Sequence, residues 1–223
     1  MNIKKNVETI QNEIKSACAT VKRNPTDVTV IGVTKYVDAI VAEALLANGI
    51  SHLGENRPDV FLEKYHAIGT AVTWHFIGSL QTRKVKDVIN HIDYLHALDR
   101  LSLAQEINKR ATQQVKCFVQ VNTSGEERKH GLEKSEVIDF IKALTAYPKI
   151  EVVGLMTMAP DTKDASRIRS CFQLLKQLQQ EIQKLALGDA PCKFLSMGMT
   201  NDYQIAIAEG ATFVRLGRCL VEE

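Results

Sequence analysis

A regular alternation of short apolar runs with stretches of helical periodicity constrains this chain more than any other feature. The sequence contains eight runs of strand character, at 28–33, 52–54, 74–77, 94–97, 117–121, 152–156, 194–197 and 213–216. Helix-period stretches lie between them, at 38–47, 58–66, 81–90, 100–112, 135–145, 165–186 and 201–208. Strands that alternate with helices favour a parallel sheet with right-handed crossovers. The runs are continuously apolar, which is typical of strands buried on both faces.

Eight βα units in 223 residues predict an α/β fold that forms a single (β/α)8 TIM-type barrel. A doubly wound open sheet is the alternative. No linker rich in proline, glycine or serine divides the chain, so we expect one domain over residues 1–223. Apolar residues at steps of three and four predict a helix within residues 1–24. We expect this helix to pack on the barrel, because little chain follows the eighth strand.

The composition excludes several classes of protein. Hydrophobic residues make up 45% and charged residues 24%, which rules out a disordered or collagen-like chain. A net charge of +2 gives no argument for nucleic acid, and no apolar run is long enough to span a bilayer. The five cysteines include no C-x-x-C pair, and the six histidines lack a metal-site spacing. The sequence therefore predicts neither a metal site nor a disulfide framework. The start of the chain does not resemble a signal peptide, so we expect a cytoplasmic protein.

Residues at the carboxyl ends of the strands are the functional candidates in a barrel of this type. Lys35 follows the first strand directly. A lysine in this position is either a surface residue or an amine that forms a Schiff base. The second role requires a lowered pKa, which burial and neighbouring cations would produce. Arg57 and Arg215 are the candidates for those cations.

The loops after strands seven and eight are frequent phosphate sites in such barrels. The segment 196–200 contains Gly198 and two hydroxyl residues, and Gly217 follows strand eight. Each glycine alone is typical of a turn, but together in these two loops they predict a phosphate site. Arg215, within strand eight, is either a structural ion-pair partner or a hydrogen-bond donor to a ligand.

Several strings along nearly the whole chain carry a resemblance to a known family. They are VTK at 33–35, GEN at 54–56, WHFIG at 74–78, GLMTM at 154–158, LSMGM at 195–199 and VRLG at 214–217, with Asn122, Glu126, Lys129 and Gly131 as a further signature. In order and spacing they resemble the YggS/PROSC family, the pyridoxal phosphate homeostasis proteins. The resemblance implies a fold-type III barrel similar to the N-terminal domain of alanine racemase, without that enzyme's C-terminal β domain.

The resemblance also implies a cofactor and its ligands. Pyridoxal 5′-phosphate (PLP) would be held as an internal aldimine on Lys35, with Arg215 facing the pyridine nitrogen and Asn56 near the ring. The residues implied around the phosphate are Ser196, Met197, Gly198, Met199, Thr200, Gly217 and Arg218. The chain departs from the family pattern at Arg57, where tyrosine often stands, and at Arg218, where a small residue usually follows the glycine. At Arg218 the backbone N–H remains a donor, and the guanidinium would add a charged contact.

An arginine beside the pyridine nitrogen only donates hydrogen bonds, so it opposes protonation of that nitrogen and weakens the ring as an electron sink. The related racemases also need a second acid or base from a second domain, which we expect to be absent here. The sequence therefore predicts a non-catalytic PLP homeostasis protein that stores, delivers or buffers the cofactor. We expect a monomer or weak dimer, with PLP-dependent apo-enzymes as partners and neither nucleic acid nor membrane among them.

Two alternatives remain open from the sequence. The first is a PLP-dependent racemase or lyase of narrow specificity, with Tyr36, His75 and Tyr203 as candidate acids and bases. The second is a phosphosugar isomerase barrel that uses the same phosphate site without the cofactor, in which Lys35 acts only through its charge.

Overall fold

Eight parallel strands close into a barrel in the computed structural model, which describes residues 2–126 and 130–222. The strands are β1 (Thr29–Val33), β2 (His52–Glu55), β3 (Thr73–Phe76), β4 (Tyr94–Leu98), β5 (Val115–Gln120), β6 (Ile150–Met156), β7 (Phe194–Ser196) and β8 (Phe213–Leu216). Each strand pairs with its neighbours in chain order, and β8 closes on β1 in a register from Thr29–Phe213 to Gly32–Leu216. The predicted barrel is confirmed, and the open-sheet alternative is wrong.

Helices follow the strands as the apolar periodicity predicts. They are α1 (Ile3–Thr20), α2 (Ala39–Ala47), α3 (Pro58–Ile68), α4 (Val85–Val88), α5 (Leu101–Arg110), α6 (Val137–Leu144), α7 (Ala165–Gln183), α8 (Tyr203–Ala208) and α9 (Arg218–Val221). The stretch predicted as one helix at 81–90 is instead a 3-10 turn, Thr82–Lys84, followed by α4. The short chain after β8 still forms one helical turn, α9.

Capping residues set the start of two of these helices. The Asp38 carboxylate accepts a hydrogen bond from the Val41 N–H at the start of α2. The Asp164 carboxylate accepts from the Ser166 and Arg167 N–H groups at the start of α7. Both side chains satisfy N–H groups that have no partner within the helix.

Helix α1 packs against α8 and α9, beside the last strand. Its buried face consists of Val7, Ile10, Ile14 and Cys18. The Arg23 guanidinium donates to the carbonyl oxygens of Ile207 and Ala211, at 2.6 and 2.9 Å. The N-terminal segment is therefore joined to the final βα unit by packing and by hydrogen bonds. In the described part of the chain, no helix combines the length and apolar character that a membrane span requires.

The barrel interior has its own small core, separate from the larger layer between strands and helices. It contains Ile31, Phe118, Val153, Met156 and Phe213. The His75 ring on β3 lies 5.7 Å from the Phe213 ring on β8, and these two strands are not neighbours. The contact therefore crosses the inside of the barrel, where polar side chains must be hydrogen-bonded to be tolerated.

Candidate functional site

A cavity of about 960 Å³ opens at the carboxyl ends of the strands. Its walls come from the loops after β1, β2, β3, β5, β6, β7 and β8, because these loops all meet at the same end of a parallel barrel. Seven of the ten residues predicted for the site line it, namely Lys35, Asn56, Met199, Thr200, Arg215, Gly217 and Arg218. Ser196, Met197 and Gly198 do not line it, although they belong to the same strand and loop.

Lys35 is half-buried in the cavity wall, and its Nζ lies 4.8 Å from the centre of the Tyr36 ring. Arg57, which we considered as a neighbouring cation, points elsewhere. Its exposed guanidinium pairs with Asp59 at 2.5 Å and does not line the cavity. Of the two cations that we considered, only Arg215 shares the cavity with Lys35.

A buried ion pair supports the strand ends that carry Lys35 and Asn56. The Lys64 Nζ, on α3, donates to the Thr34 carbonyl oxygen at 2.6 Å and to Glu55 Oε1 at 2.5 Å. The Thr34 hydroxyl donates to the same carboxylate oxygen at 2.6 Å. All three side chains are buried. The sequence reasoning missed Lys64, although its spacing of three from the buried Phe61 places it on the inner face of α3.

Gly78 allows the loops after β2 and β3 to touch. A Cβ atom at this position would lie 2.4 Å from the Asn56 carbonyl oxygen and 2.8 Å from the Asn56 Cα. Since both atoms belong to the backbone, no side-chain movement would relieve the contact. The glycine of WHFIG therefore sets how closely Asn56 is held to the third strand.

The loop after β7 is also shaped by a glycine. Gly198 has a φ of +97°, and a Cβ there would lie 2.6 Å from the Ala206 Cβ. Several backbone N–H and carbonyl groups of this loop are already hydrogen-bonded within the protein. The Met197 N–H donates to the Phe213 carbonyl, the Met199 N–H donates to Asp202 Oδ1, and the Gly198 carbonyl accepts from the Arg215 N–H.

The loops after β7 and β8 meet at the cavity wall. The Thr200 hydroxyl lies 3.6 Å from the Cys219 sulfur, and α9 begins at Arg218, directly after Gly217. Thr200, Gly217 and Arg218 therefore form one continuous part of the wall, and Arg218 is exposed.

Arg215 is a buried charged group in the cavity wall, with 5% of its surface exposed. One NH group donates to the Ser196 hydroxyl oxygen at 2.6 Å, and the other donates to the Thr157 carbonyl at 2.9 Å. Burial lowers the pKa of Arg215 to about 10, and the negative charge of Asp202 opposes this shift. The guanidinium therefore remains charged at neutral pH and can only donate.

Three histidines continue from Ser196 into the barrel interior. Ser196 Oγ lies 2.9 Å from His96 Nδ1, His96 Nε2 lies 2.8 Å from His75 Nδ1, and His75 Nε2 lies 2.9 Å from His52 Nδ1. Burial lowers the pKa of His75 and of His96 well below the ordinary histidine value, so both rings are neutral at pH 7. The sequence reasoning did not foresee this row. Alternation along β4 offered a signal, since Tyr94 and His96 share one strand face.

The three residues considered as acids or bases for a racemase occupy very different positions. Tyr36 lines the cavity and is 84% exposed. His75 lies inside the barrel, and the buried Tyr203 donates its hydroxyl to the Glu13 carboxylate. Burial raises the pKa of Tyr203. Of the three, only Tyr36 faces the cavity.

The fifth-strand signature is partly visible. The Asn122 amide donates to the Glu126 carbonyl oxygen at 3.0 Å, and Gly131 has a φ of +114°. Lys129 lies outside the described residues. Among the residues that the structure describes, no group of histidine, cysteine, aspartate and glutamate side chains is arranged to hold a metal ion.

Comparison with known proteins places this geometry in context. The sequence model of the alanine racemase N-terminal domain family matches residues 1–222. The chain is 36% identical to a pyridoxal phosphate homeostasis protein of Aquifex aeolicus, covering 100% of this chain and 99% of that protein.

Two solved structures are similar along almost their whole length. An unknown protein from Bifidobacterium adolescentis has a TM-score of 0.94 at 29% identity, covering 98% of this chain and 94% of its own. PipY of Synechococcus elongatus, solved with PLP bound, has a TM-score of 0.82 at 28% identity, covering 93% of this chain and 99% of its own.

Proposed function

Since the chain belongs to the pyridoxal phosphate homeostasis proteins, within the alanine racemase N-terminal domain family, we propose that it binds pyridoxal 5′-phosphate and takes part in its homeostasis. One observation carries the proposal, namely that Lys35, Arg215 and the two glycine loops share one cavity at the carboxyl end of the barrel. The PLP-bound relative and the names of the curated relatives support the same cofactor.

The donors in the cavity wall suit this cofactor. PLP is an aldehyde with a dianionic phosphate and a pyridine nitrogen. The wall offers a primary amine on Lys35, a hydroxyl on Thr200 and the guanidinium groups of Arg215 and Arg218. A buried arginine beside the ring and a cationic loop near the phosphate are both electrostatically favourable.

We assign the residues of the cavity as follows. Lys35 attaches the cofactor through its amine, Arg215 donates to the ring nitrogen, and Asn56 contacts the ring. Thr200, Gly217 and Arg218 hold the phosphate. When bound, PLP supplies an electrophilic carbonyl carbon and an electron-withdrawing ring.

Four of the residues expected at the phosphate take other roles in this proposal. The Ser196 hydroxyl is buried beneath the cavity and bonded to Arg215, so we assign it to orienting that guanidinium. The Met197 and Met199 N–H groups already donate within the protein, which leaves them less suited to a phosphate. Gly198 contributes by bringing the loop close to α8.

We propose that the protein is a carrier rather than an enzyme. Arg215 is charged at neutral pH and opposes protonation of the ring nitrogen, which weakens the stabilisation of carbanions. Of Tyr36, His75 and Tyr203, the three residues considered as acids or bases, only the highly exposed Tyr36 lines the cavity. We further propose that the protein is a cytoplasmic monomer or weak dimer that passes PLP to apo-enzymes. The unpaired state of all five cysteines agrees with that compartment.

The first test is the visible absorbance of the purified protein after incubation with PLP, before and after borohydride reduction. We expect a yellow band that reduction abolishes, and a pyridoxyl mass on the peptide that contains Lys35. Lys35→Ala should lose the band and the adduct. Lys142→Ala, at an exposed lysine of α6, is the matched control and should retain both. A protein that stays colourless, or an adduct on another lysine, would contradict the proposal.

A second test separates a carrier from an enzyme. The PLP-loaded protein is incubated in deuterated water with a panel of amino acids, and exchange at the α-carbon is followed by NMR. We expect no stereospecific exchange above that of free PLP. Rapid exchange of one amino acid that is lost in Lys35→Ala would favour the racemase or lyase instead.

A further inference from the structure

A continuous row of hydrogen bonds leads from the cavity into the barrel interior, and the proposed function uses only its first member. We call Ser196, His96, His75 and His52 the histidine relay. Its three internal distances are 2.9, 2.8 and 2.9 Å, and Arg215 contacts its cavity end, 2.6 Å from the Ser196 oxygen. The relay joins β7, β4, β3 and β2 across the barrel.

The relay is enclosed along most of its length. Ser196, His96 and His75 are fully buried, and only His52, at the start of β2, is partly accessible. The His75 ring stacks on the Tyr94 ring at 4.7 Å with planes 3° apart, and the His96 ring stacks on the Phe118 ring at 4.3 Å. Each of these two imidazoles therefore packs face to face on one aromatic ring, which restricts its orientation.

The direction of the hydrogen bonds follows from Arg215. A guanidinium has no acceptor, so Ser196 Oγ must accept from it. In the part of the chain that the structure describes, no other residue is placed to accept the Ser196 hydrogen, so the hydroxyl donates to His96 Nδ1. The opposite direction would leave a buried hydroxyl hydrogen without a partner.

The same direction then extends to the other two rings. A neutral imidazole carries one N–H and one acceptor nitrogen, so His96 with an unprotonated Nδ1 donates from Nε2 to His75 Nδ1. By the same reasoning, His75 donates from Nε2 to His52 Nδ1. All three histidines are therefore neutral with the hydrogen on Nε2.

We propose that the histidine relay is a positioning device for Arg215, ordered in this single tautomeric state. This inference rests on the proposed function, because the proposed function assigns Arg215 to the cofactor ring. The relay holds the Ser196 hydrogen away from Arg215 and keeps an oxygen lone pair directed at the guanidinium. His96, His75 and His52 act through Ser196 and touch no ligand, so they are positioning residues.

The tautomers can be measured directly in the cofactor-free protein. Long-range ¹H–¹⁵N NMR spectra of imidazole-labelled protein distinguish a protonated ring nitrogen from an unprotonated one. We expect His96, His75 and His52 at neutral pH each to carry the hydrogen on Nε2. A hydrogen on Nδ1 of His96 or His75, or a mixture of tautomers at either ring, would overturn the proposal.

Two variants of His96 test the effect on Arg215. His96→Asn keeps an oxygen that can accept from Ser196, whereas His96→Phe keeps an aromatic ring on Phe118 and removes the acceptor. We expect His96→Phe to bind PLP about fivefold to tenfold more weakly, which corresponds to one lost hydrogen bond. Its loaded absorbance spectrum should also shift, and His96→Asn should restore most of both.

The results that would overturn this inference differ from those that would overturn the proposed function. If the wild-type chain binds no PLP, the proposed function fails, while the NMR spectra still decide the tautomeric order. If the wild type binds and both variants weaken binding equally, His96 has only a structural role and the positioning proposal is wrong. Should His96→Phe fail to fold, the wild-type spectra remain decisive.

Discussion

Lys64 is a buried lysine that contacts the strand ends next to the cavity. Its ammonium contacts the Thr34 carbonyl and the Glu55 carboxylate, which directly precede Lys35 and Asn56 in the chain. A charge removed from water in this way is tolerated only when its partners are close and well oriented. The second Glu55 oxygen, Oε2, has no hydrogen-bond partner in the described part of the protein. The buried charge of Glu55 is therefore balanced mainly by Lys64.

Replacing Lys64 should be costly for that reason. Lys64→Met leaves the Glu55 carboxylate buried without its cation, and we expect a loss of about 3–5 kcal/mol in the free energy of unfolding. Urea denaturation measures this loss. Lys142→Met removes an exposed lysine that lies 3.9 Å from Asp139, and should cost about 1 kcal/mol or less.

A third variant tests the cause of that loss. Adding Glu55→Leu to Lys64→Met removes the unpaired charge, so the double variant should recover a large part of the stability. A cost for Lys64→Met as small as that of Lys142→Met would show that the pair is not a significant support of this region.

At the scale of elements, the cavity depends on how closely neighbouring βα loops approach. The loops after β2 and β3 touch through Gly78 and Asn56, and the loop after β7 lies against α8 through Gly198. A barrel tolerates wide variation in its loops while the strands stay in register. These two contacts therefore affect the site more than the fold.

Gly78→Ala should accordingly harm binding more than it harms folding. The new Cβ would meet backbone atoms of Asn56, so the loop after β2 must move. We expect PLP affinity to fall about tenfold or more and stability to fall by about 1–3 kcal/mol. Absorbance titration with PLP and urea denaturation measure the two effects.

Gly188→Ala is the matched control for this variant. No atom lies within 4 Å of a Cβ built at Gly188, so its stability should change by only about 0.5 kcal/mol and its affinity should be unchanged. Equal affinities for the two variants would mean that the contact between Gly78 and Asn56 does not shape the site.

At the scale of the whole molecule, the barrel interior couples folding to pH. His75 and His96 are neutral in the native state because burial lowers their pKa values. In the unfolded chain, each would titrate near the ordinary value of about 6.5. Below that pH the unfolded state binds protons that the native state does not bind. The histidines therefore contribute their full stability above about pH 6.5, and this contribution is lost as the pH falls.

We expect the free energy of unfolding to fall on acidification from about pH 7.5 to about pH 5.5. The slope from each buried histidine approaches about 1.4 kcal/mol per pH unit below its unfolded-state pKa. Urea denaturation across this range measures the total slope. His75→Gln removes one titrating group and should have a shallower slope than the wild type. Equal slopes, or greater stability at the lower pH, would contradict this assignment.

Local pattern alone determined the architecture and the main features of the cavity. Continuous apolar runs separated by helical periodicity predicted eight parallel strands, because a strand buried on both faces cannot alternate polar and apolar residues. The barrel rule then placed the residues after each strand at one end. Lys35 and Arg215 do line the same cavity, together with Asn56, which the family resemblance implied, since their positions depend on strand ends rather than on side-chain packing.

Only the tertiary structure decided which side chains meet across the barrel. Ser196 is hydrogen-bonded to Arg215 and His96, and Lys64 reaches Glu55 from a helix. Arg57 turns outward to Asp59. The two Ser196 contacts join residues 19 and 100 positions apart in sequence, so their existence depends on barrel closure, on strand register and on the direction of each side chain. Periodicity along the chain shows which face a residue shares with its neighbours, but the partner on that face is fixed only when the strands close into a barrel.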